Sequence, residues 1–216
     1  MEDLFPYIEG LDFDRLKTTE EGLYSITRRR DAVRILNVIR NVVGNLSDKT
    51  ATDATACIGG DTINFGLHCK FVRSIELNKE NYEALVNNVN SYNLKNVETI
   101  HDNCLTIFNW KTDILFIDPP WGGPDYKTQK DIDLFLSDKR IDIWIEEILK
   151  RPNRPGYIFI KLPCNYNFKR LNFLPNVDYT KAYQIRSYTL VSITVFLPEK
   201  RIHQAISKSD SITRSK

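Results

Sequence analysis

From Arg28 to Leu197, short apolar runs alternate with amphipathic stretches, and this alternation limits the possible folds more than any other feature of the chain. Ala32, Ile35, Leu36, Ile39, Val42 and Val43 recur at helical spacing and predict a helix over 28–43, with Gly44 as its stop. Strands are expected at 50–56, 71–76, 97–101, 113–117 and 157–162, and helices at 61–68, 79–92 and 131–150. The 79–92 helix places Tyr82, Leu85, Val86 and Val89 on one face. Asp113 to Ile117 is wholly apolar after its first residue. Two final strands, 179–186 and 188–197, are joined tightly enough to be an antiparallel pair. Apolar strands alternating with helices predict an α/β fold whose mostly parallel sheet is covered on both faces.

The remaining chain is organised differently. Residues 1–27 carry scattered aromatics (Phe5, Tyr7, Phe13, Tyr24) without a strong period, and are expected to be a small helical N-terminal lobe packed on the core. The core domain is expected over 28–198, and the polar, Ser- and Lys-rich stretch over 199–216 as a disordered tail. No apolar run is long enough to cross a bilayer, and no apolar signal segment opens the chain, so a place in the cytosol or nucleus is expected. Cys57, Cys69, Cys104 and Cys164 form no C-x-x-C pair and have no histidine cluster beside them, which argues for reduced thiols and against a metal site. The net charge of +2 advertises no polyanion partner, so any nucleic-acid surface must come from local clusters. Arg28-Arg29-Arg30 is one, and Lys161, Lys169 and Arg170 are a second; either is equally readable as a solvated face.

Four constellations carry chemistry. Asp53-Ala54-Thr55-Ala56-Cys57-Ile58-Gly59-Gly60 ends a strand and opens a helix that includes Thr62. Ligands of open α/β sheets bind at such strand ends, and glycines let the backbone approach them. Any tight strand-to-helix turn has the same look. Glu76 ends the next strand, where a carboxylate can accept hydrogen bonds from both hydroxyls of an adenosine ribose. The plainer reading is an acid favoured by a helix N-terminus. Asp102-Asn103, after the third strand, can bond an adenine amino group or simply make a turn.

The decisive constellation is Asp118-Pro119-Pro120-Trp121-Gly122-Gly123-Pro124-Asp125-Tyr126, directly after the apolar strand. The exocyclic amines of guanine and adenine are poor nucleophiles because their lone pair is delocalised into the ring. Hydrogen bonds accepted from the N–H groups localise that pair. The Asp118 carboxylate and the Pro119 carbonyl suit the task, and two prolines stiffen the loop so that these acceptors are preorganised. Trp121 offers a flat face for a base, with cation–π attraction of roughly 0.5–2 kcal/mol if the base is cationic. A Pro-rich turn with a structural Trp is the alternative.

These residues resemble the class I amino-methyltransferases, with their (D/N/S)-P-P-(Y/F/W) loop, and more narrowly the trimethylguanosine synthase family, which methylates the guanine amino group of a 7-methylguanosine cap. The resemblance covers about 20–197. It is strongest in Pro119-Pro120-Trp121-Gly122-Gly123-Pro124-Asp125-Tyr126, with support from Asp53-Ala54, Gly59-Gly60-Asp61-Thr62-Ile63 and Glu21-Gly22-Leu23-Tyr24-Ser25-Ile26-Thr27. It implies a Rossmann-like domain with a seven-stranded sheet and a terminal antiparallel hairpin. It also implies S-adenosylmethionine as cofactor, held by Asp53, Ala54, Thr55, Gly59, Gly60, Thr62, Glu76, Asp102, Asn103 and Asp118.

The catalytic residues it implies are Asp118, Pro119 and Trp121. The substrate contacts are Trp121, Tyr24, Ser25, Pro124, Asp125, Tyr126, Lys161 and Asn165, the last in the Leu162-Pro163-Cys164-Asn165 loop. The partner is 7-methylguanosine-capped RNA or a cap dinucleotide, with the chain acting as a monomer away from membranes. The sequence departs from the family at Asp118 (a serine there), Cys57 (a glycine), Cys164 (a basic residue) and Leu23 (an aromatic). Asp118 keeps open a ribosomal RNA guanine-N2 or nucleic-acid adenine-N6 methyltransferase, and Cys57 a catalytically silent cap- or RNA-binding module.

Overall fold

The computed structural model describes residues 1–197. Its strands are β1 (Thr50–Asp53), β2 (Phe71–Glu76), β3 (Val97–His101), β4 (Ile114–Ile117), β5 (Phe135–Leu136), β6 (Lys139–Arg140), β7 (Tyr157–Pro163), β8 (Val177–Ile185) and β9 (Tyr188–Val195). Its α-helices are α1 (Glu20–Ser25), α2 (Arg29–Val43), α3 (Gly60–Gly66), α4 (Lys79–Ser91), α5 (Cys104–Ile107) and α6 (Ile141–Lys150). Seven strands form one sheet in the order β3-β2-β1-β4-β7-β9-β8. The first five run parallel, β9 is antiparallel to β7, and β8 is antiparallel to β9. The expected seven-stranded, mostly parallel sheet with a terminal hairpin is therefore present. The tail expected over 199–216 lies outside the described residues.

The strand pattern follows from burial on both faces. Every residue of β4 is buried. Leu115 and Ile117 join Ile158, Ile160, Val191 and Ile193 under α6. Ile114 and Phe116 point the other way, joining Phe159 and Leu190 under α2 and α3. Alternate residues of one strand thus serve two cores, which is why central parallel strands read as unbroken apolar runs. In α2 the buried residues are Ala32, Ile35, Leu36 and Ile39, one helical stripe, and Gly44 ends the helix at φ 89°.

The helix expected over 131–150 is not one element. Only Ile141–Lys150 is helical, burying Ile141, Trp144, Ile145, Ile148 and Leu149 at helical spacing. Before it, Ile132, Leu134 and Leu136 are buried with period two, and β5 and β6 pair as a hairpin turned at Ser137-Asp138, with Ser137 at φ 52°. A left-handed backbone at the turn cannot continue a helix, and the apolar period shifts from two to 3.6 at Ile141.

The N-terminal part packs on α4. Phe5 is fully buried in a cluster with Ile58, Ile63, Leu85 and Val89. Thr19 caps α1 through the Gly22 N–H (2.8 Å) and donates to Asn81 Oδ1 (2.6 Å). Asn88 accepts from the Lys17 N–H (2.7 Å) and donates to the carbonyls of Lys17 and Ile58 (2.9 Å each). The amide side chains of one helix face thereby satisfy the backbone of an otherwise irregular segment.

Candidate active site

Sheet order reverses between β1 and β4, the place where open α/β sheets leave a crevice at the carboxyl ends of their strands. A cavity of about 1040 Å³ opens there. Ligand sites are roughly 300–1,000 Å³, so this one has room for a nucleoside cofactor and a base together.

On one side the wall is made by the loops after β1, β2 and β3. Ala54, Thr55, Glu76, Asp102 and Asn103 all line it. Glu76 is held by backbone alone: Oε2 accepts from the Cys57 N–H and Oε1 from the Asn78 N–H, each at 2.7 Å. Burial pushes its carboxyl up from the ordinary value, and those two N–H groups pull it back. Cys57 reaches Glu76 from a left-handed backbone, φ 48°, the conformation a glycine adopts without strain. Asn103 caps α5 with Oδ1 and donates from Nδ2 to Ser137 Oγ (3.2 Å), which ties the β5–β6 hairpin to this wall.

On the other side the Asp118 to Trp121 loop leaves β4. The Asp118 N–H donates to Thr55 Oγ1 (2.7 Å), locking it to the loop after β1. Its Oδ2 accepts from Lys161 Nζ at 2.6 Å, because Ile117 pairs with Ile160 and the next residues along the two strands are neighbours. Burial raises the Asp118 carboxyl and the Lys161 ammonium opposes that rise. Oδ1 has no hydrogen-bond partner among the described residues. Lys161 also donates to Thr27 Oγ1 (2.9 Å) and lies over the rings of Trp121 (5.4 Å) and Tyr188 (5.0 Å). Trp121 packs edge-on against Tyr126 at 5.2 Å. The Trp121 Nε1 and Tyr188 hydroxyl are buried without partners. A buried donor beside a cavity is a group that a ligand or water can satisfy.

Of the other expected site residues, Tyr24, Ser25, Pro119, Tyr126 and Lys161 line the cavity. Asp53, Gly59, Gly60, Thr62, Asp125 and Asn165 do not. Asp53 sits behind the loop and accepts from Thr62 Oγ1 (2.7 Å) and the Thr55 N–H (3.3 Å); burial, with Asp61 nearby, pushes its carboxyl up to about 8. Gly60 was expected to make room for a ligand. Instead a Cβ there would lie 2.7 Å from Ile26 Cγ1 and 3.1 Å from the Thr27 carbonyl, so the close approach is made by the chain's own N-terminal segment. Asn165 Nδ2 donates to the carbonyls of Tyr126 (2.7 Å) and Gln129 (2.8 Å), and so pins the loop rather than facing the cavity. Pro124 opens the short 3-10 turn that contains Asp125 and Tyr126. Sequence reasoning missed Thr27, Asp31, Leu77 and Tyr188 in the wall. Tyr188 pairs with Pro163 across β7 and β9, a register that no local pattern announces. Among the described residues there is no cluster of His, Cys, Asp and Glu able to hold a metal, and no helix long and apolar enough to cross a membrane.

The fold is that of solved RNA methylases. The chain superposes on a putative RNA methyltransferase from Pyrococcus horikoshii with a TM-score of 0.60 at 15% identity, covering 85% of this chain and 95% of that one. For an rRNA methylase from Streptococcus thermophilus the values are 0.54 and 16%, with 77% and 97% covered. By sequence it is 28% identical over 221 residues to an uncharacterized protein of Acanthamoeba polyphaga mimivirus, covering 91% of this chain and 84% of that protein. It is also 28% identical over 161 residues to the trimethylguanosine synthase of Schizosaccharomyces pombe, covering 70% of this chain and 64% of the yeast protein, just under two thirds of its length. Residues 48–212 match the family described as RNA cap guanine-N2 methyltransferase, and with that match spanning most of the chain, the protein belongs to this methyltransferase family.

Proposed function

We propose that the protein methylates the exocyclic amino group of guanine in a 7-methylguanosine RNA cap, using S-adenosylmethionine. The observation that carries the reading is the Asp118 carboxylate. It is held at the cavity wall by Lys161, while Thr55 accepts from the Asp118 backbone N–H, and this leaves Oδ1 for a base amino group.

The residues fit the cofactor. Glu76 presents a carboxylate preset by two backbone N–H groups, suited to paired ribose hydroxyls. Asp102 and Asn103 would meet the adenine edge, and Ala54 and Thr55 the centre of the molecule. When bound, S-adenosylmethionine supplies an electrophilic methyl group. The protein's part is to prepare the amine. Asp118 Oδ1 and the Pro119 carbonyl accept from the two amino N–H groups, which draws the nitrogen lone pair out of conjugation. Asp118 then holds the departing proton. Trp121 gives the base a face to stack on, and Tyr24 and Ser25 line the same cavity. Holding the partners in this geometry is worth roughly 7–11 kcal/mol over free reactants.

Asp118 supports a second reading, a guanine-N2 or adenine-N6 enzyme for longer RNA or DNA, because an acidic residue before Pro-Pro suits those reactions equally. Methyl transfer from labelled S-adenosylmethionine to a 7-methylguanosine cap dinucleotide, with unmethylated cap, ribosomal RNA and DNA in parallel, separates the two. Transfer to the 7-methylated cap alone supports the cap reading. Transfer only to the longer nucleic acids replaces it with the second.

A further inference from the structure

Lys161 is a buried charge engaged on several sides. It is 6% exposed and lies on β7, an interior strand between β4 and β9. An ammonium has three N–H donors. Here one goes to Asp118 Oδ2 at 2.6 Å and one to Thr27 Oγ1 at 2.9 Å, while the rings of Trp121 and Tyr188 cover it at 5.4 and 5.0 Å. The Thr27 hydroxyl, having accepted from Lys161, donates to Asp61 Oδ2 at 2.5 Å. The result is one hydrogen-bonded chain, Asp118–Lys161–Thr27–Asp61, with Lys161 donating in both directions, joining the loop after β4, strand β7, the N-terminal segment and the first turn of α3. A residue engaged in this way has little left to offer a nucleic-acid substrate, the contact that the resemblance implied for it.

We propose that Lys161 is a positioning residue for methyl transfer: it holds Asp118 in one orientation and registers the N-terminal segment on the catalytic loop through Thr27. The proposal rests on the reading of Asp118 given above. With Oδ2 engaged by Lys161, Oδ1 is the oxygen presented to the base. Without the ammonium, Asp118 and Asp61 face each other across a buried space with no counterion, and the cheapest relief is for Asp118 to take up a proton and stop being an acceptor. The charged and titratable groups facing Lys161 are Asp118 from the loop after β4, Asp61 from α3, Asp31 from α2 and Tyr188 from β9. Asp31 is itself paired with Arg34 (2.9 Å) and Arg186 (3.5 Å), so Asp118 and Asp61 are the carboxylates that balance Lys161. Burial works against its charge, and those carboxylates outweigh burial and raise its pKa.

The test uses the full chain and whichever of the four acceptors above takes the methyl group, so a failure of the cap reading leaves it standing. Lys161→Met should lower kcat about tenfold or more while KM for the nucleic acid stays within about threefold. The acid limb of the kcat/KM profile should move up by about one pH unit or more, and Lys161→Arg should bring it back. A KM increase of about tenfold with kcat unchanged and a shallower salt dependence would make Lys161 a phosphate contact and overturn the proposal. An unmoved acid limb would overturn it as well. If Lys161→Met folds poorly, Asp118→Asn added to it should recover most of the lost melting temperature, because the stranded charge is gone; losses that simply add refute the coupling. Thr27→Val, nearly isosteric, should lower kcat a few-fold without changing cofactor affinity, and an unchanged kcat would break the chain at that residue. Absence of transfer to all four acceptors removes the role of Asp118 and this proposal with it.

Discussion

Glu76 and Asp118 are both half-buried carboxylates at the end of a strand and on one cavity, yet the protein holds them by opposite means. Glu76 is gripped by two backbone N–H groups, whose positions depend on the chain path and not on any side chain. Asp118 is gripped by Lys161, a side chain 43 residues away that itself needs Thr27. Burial raises both carboxyls, opposed by amide dipoles in one case and by an ammonium in the other. A backbone grip is rigid and insensitive to neighbouring substitutions. A side-chain grip is stronger but fails when any member of the chain is removed.

This contrast can be broken from either end. The largest effect is expected from Asp118→Ala, which should lower kcat about 10²–10³-fold while calorimetry finds cofactor affinity within a few-fold of the parent. Unchanged turnover would mean that the carboxylate has no part in the chemistry. Glu76→Ala should do the reverse. Hydrogen bonds to a charged group are worth about 1.5–3 kcal/mol, so the dissociation constant for S-adenosylmethionine should rise about 10–100-fold with kcat at saturation little altered. A fall in kcat without loss of affinity would show that the two sides are not separable.

Gly60→Ala should sharpen the picture of the wall itself. A methyl group 2.7 Å from Ile26 Cγ1 must displace the N-terminal segment, at a cost of about 1–3 kcal/mol. Melting temperature should drop by several degrees, and KM for the nucleic acid should rise more than KM for the cofactor. The smallest change in turnover is expected from Asp53→Asn, whose signature is in stability against pH. Asp53 is raised from 3.8 to about 8 in the fold. Its contribution to stability is therefore fully present below about pH 4 and is lost as pH rises through 8. The variant should gain on the parent steadily over that window in thermal melts, and a difference independent of pH would place the true pKa elsewhere.

Much of this site was legible in the sequence because its markers are local. The apolar run of β4 with the Asp118 to Trp121 loop directly after it, the stripe of α2 and the strand-end position of Glu76 each depend on residues within one or two turns of chain. What was not legible depends on register. Lys161 meets Asp118 only because Ile117 pairs with Ile160, so reading it requires knowing that β4 and β7 are neighbours. Gly60 looked like a ligand glycine because nothing local reveals that Ile26 packs on it. The hairpin at Ser137 was hidden because Ile132, Leu134 and Leu136 run into an apolar helix, and the shift in period falls inside what reads as one amphipathic stretch.

The cavity wall also has two sources. Tyr24, Ser25, Thr27, Arg28 and Asp31 line it, yet all precede residue 48, where the match to the family begins. The strands that carry the chemistry and the N-terminal segment are separate pieces of chain, linked through Thr27, which joins Lys161 to Asp61. The part of that segment with no such link, Tyr24 and Ser25, can be exchanged while the catalytic strands stay as they are. For protein engineering this makes Tyr24 and Ser25, rather than Thr27, the natural place to redirect the choice of acceptor without rebuilding the machinery of transfer.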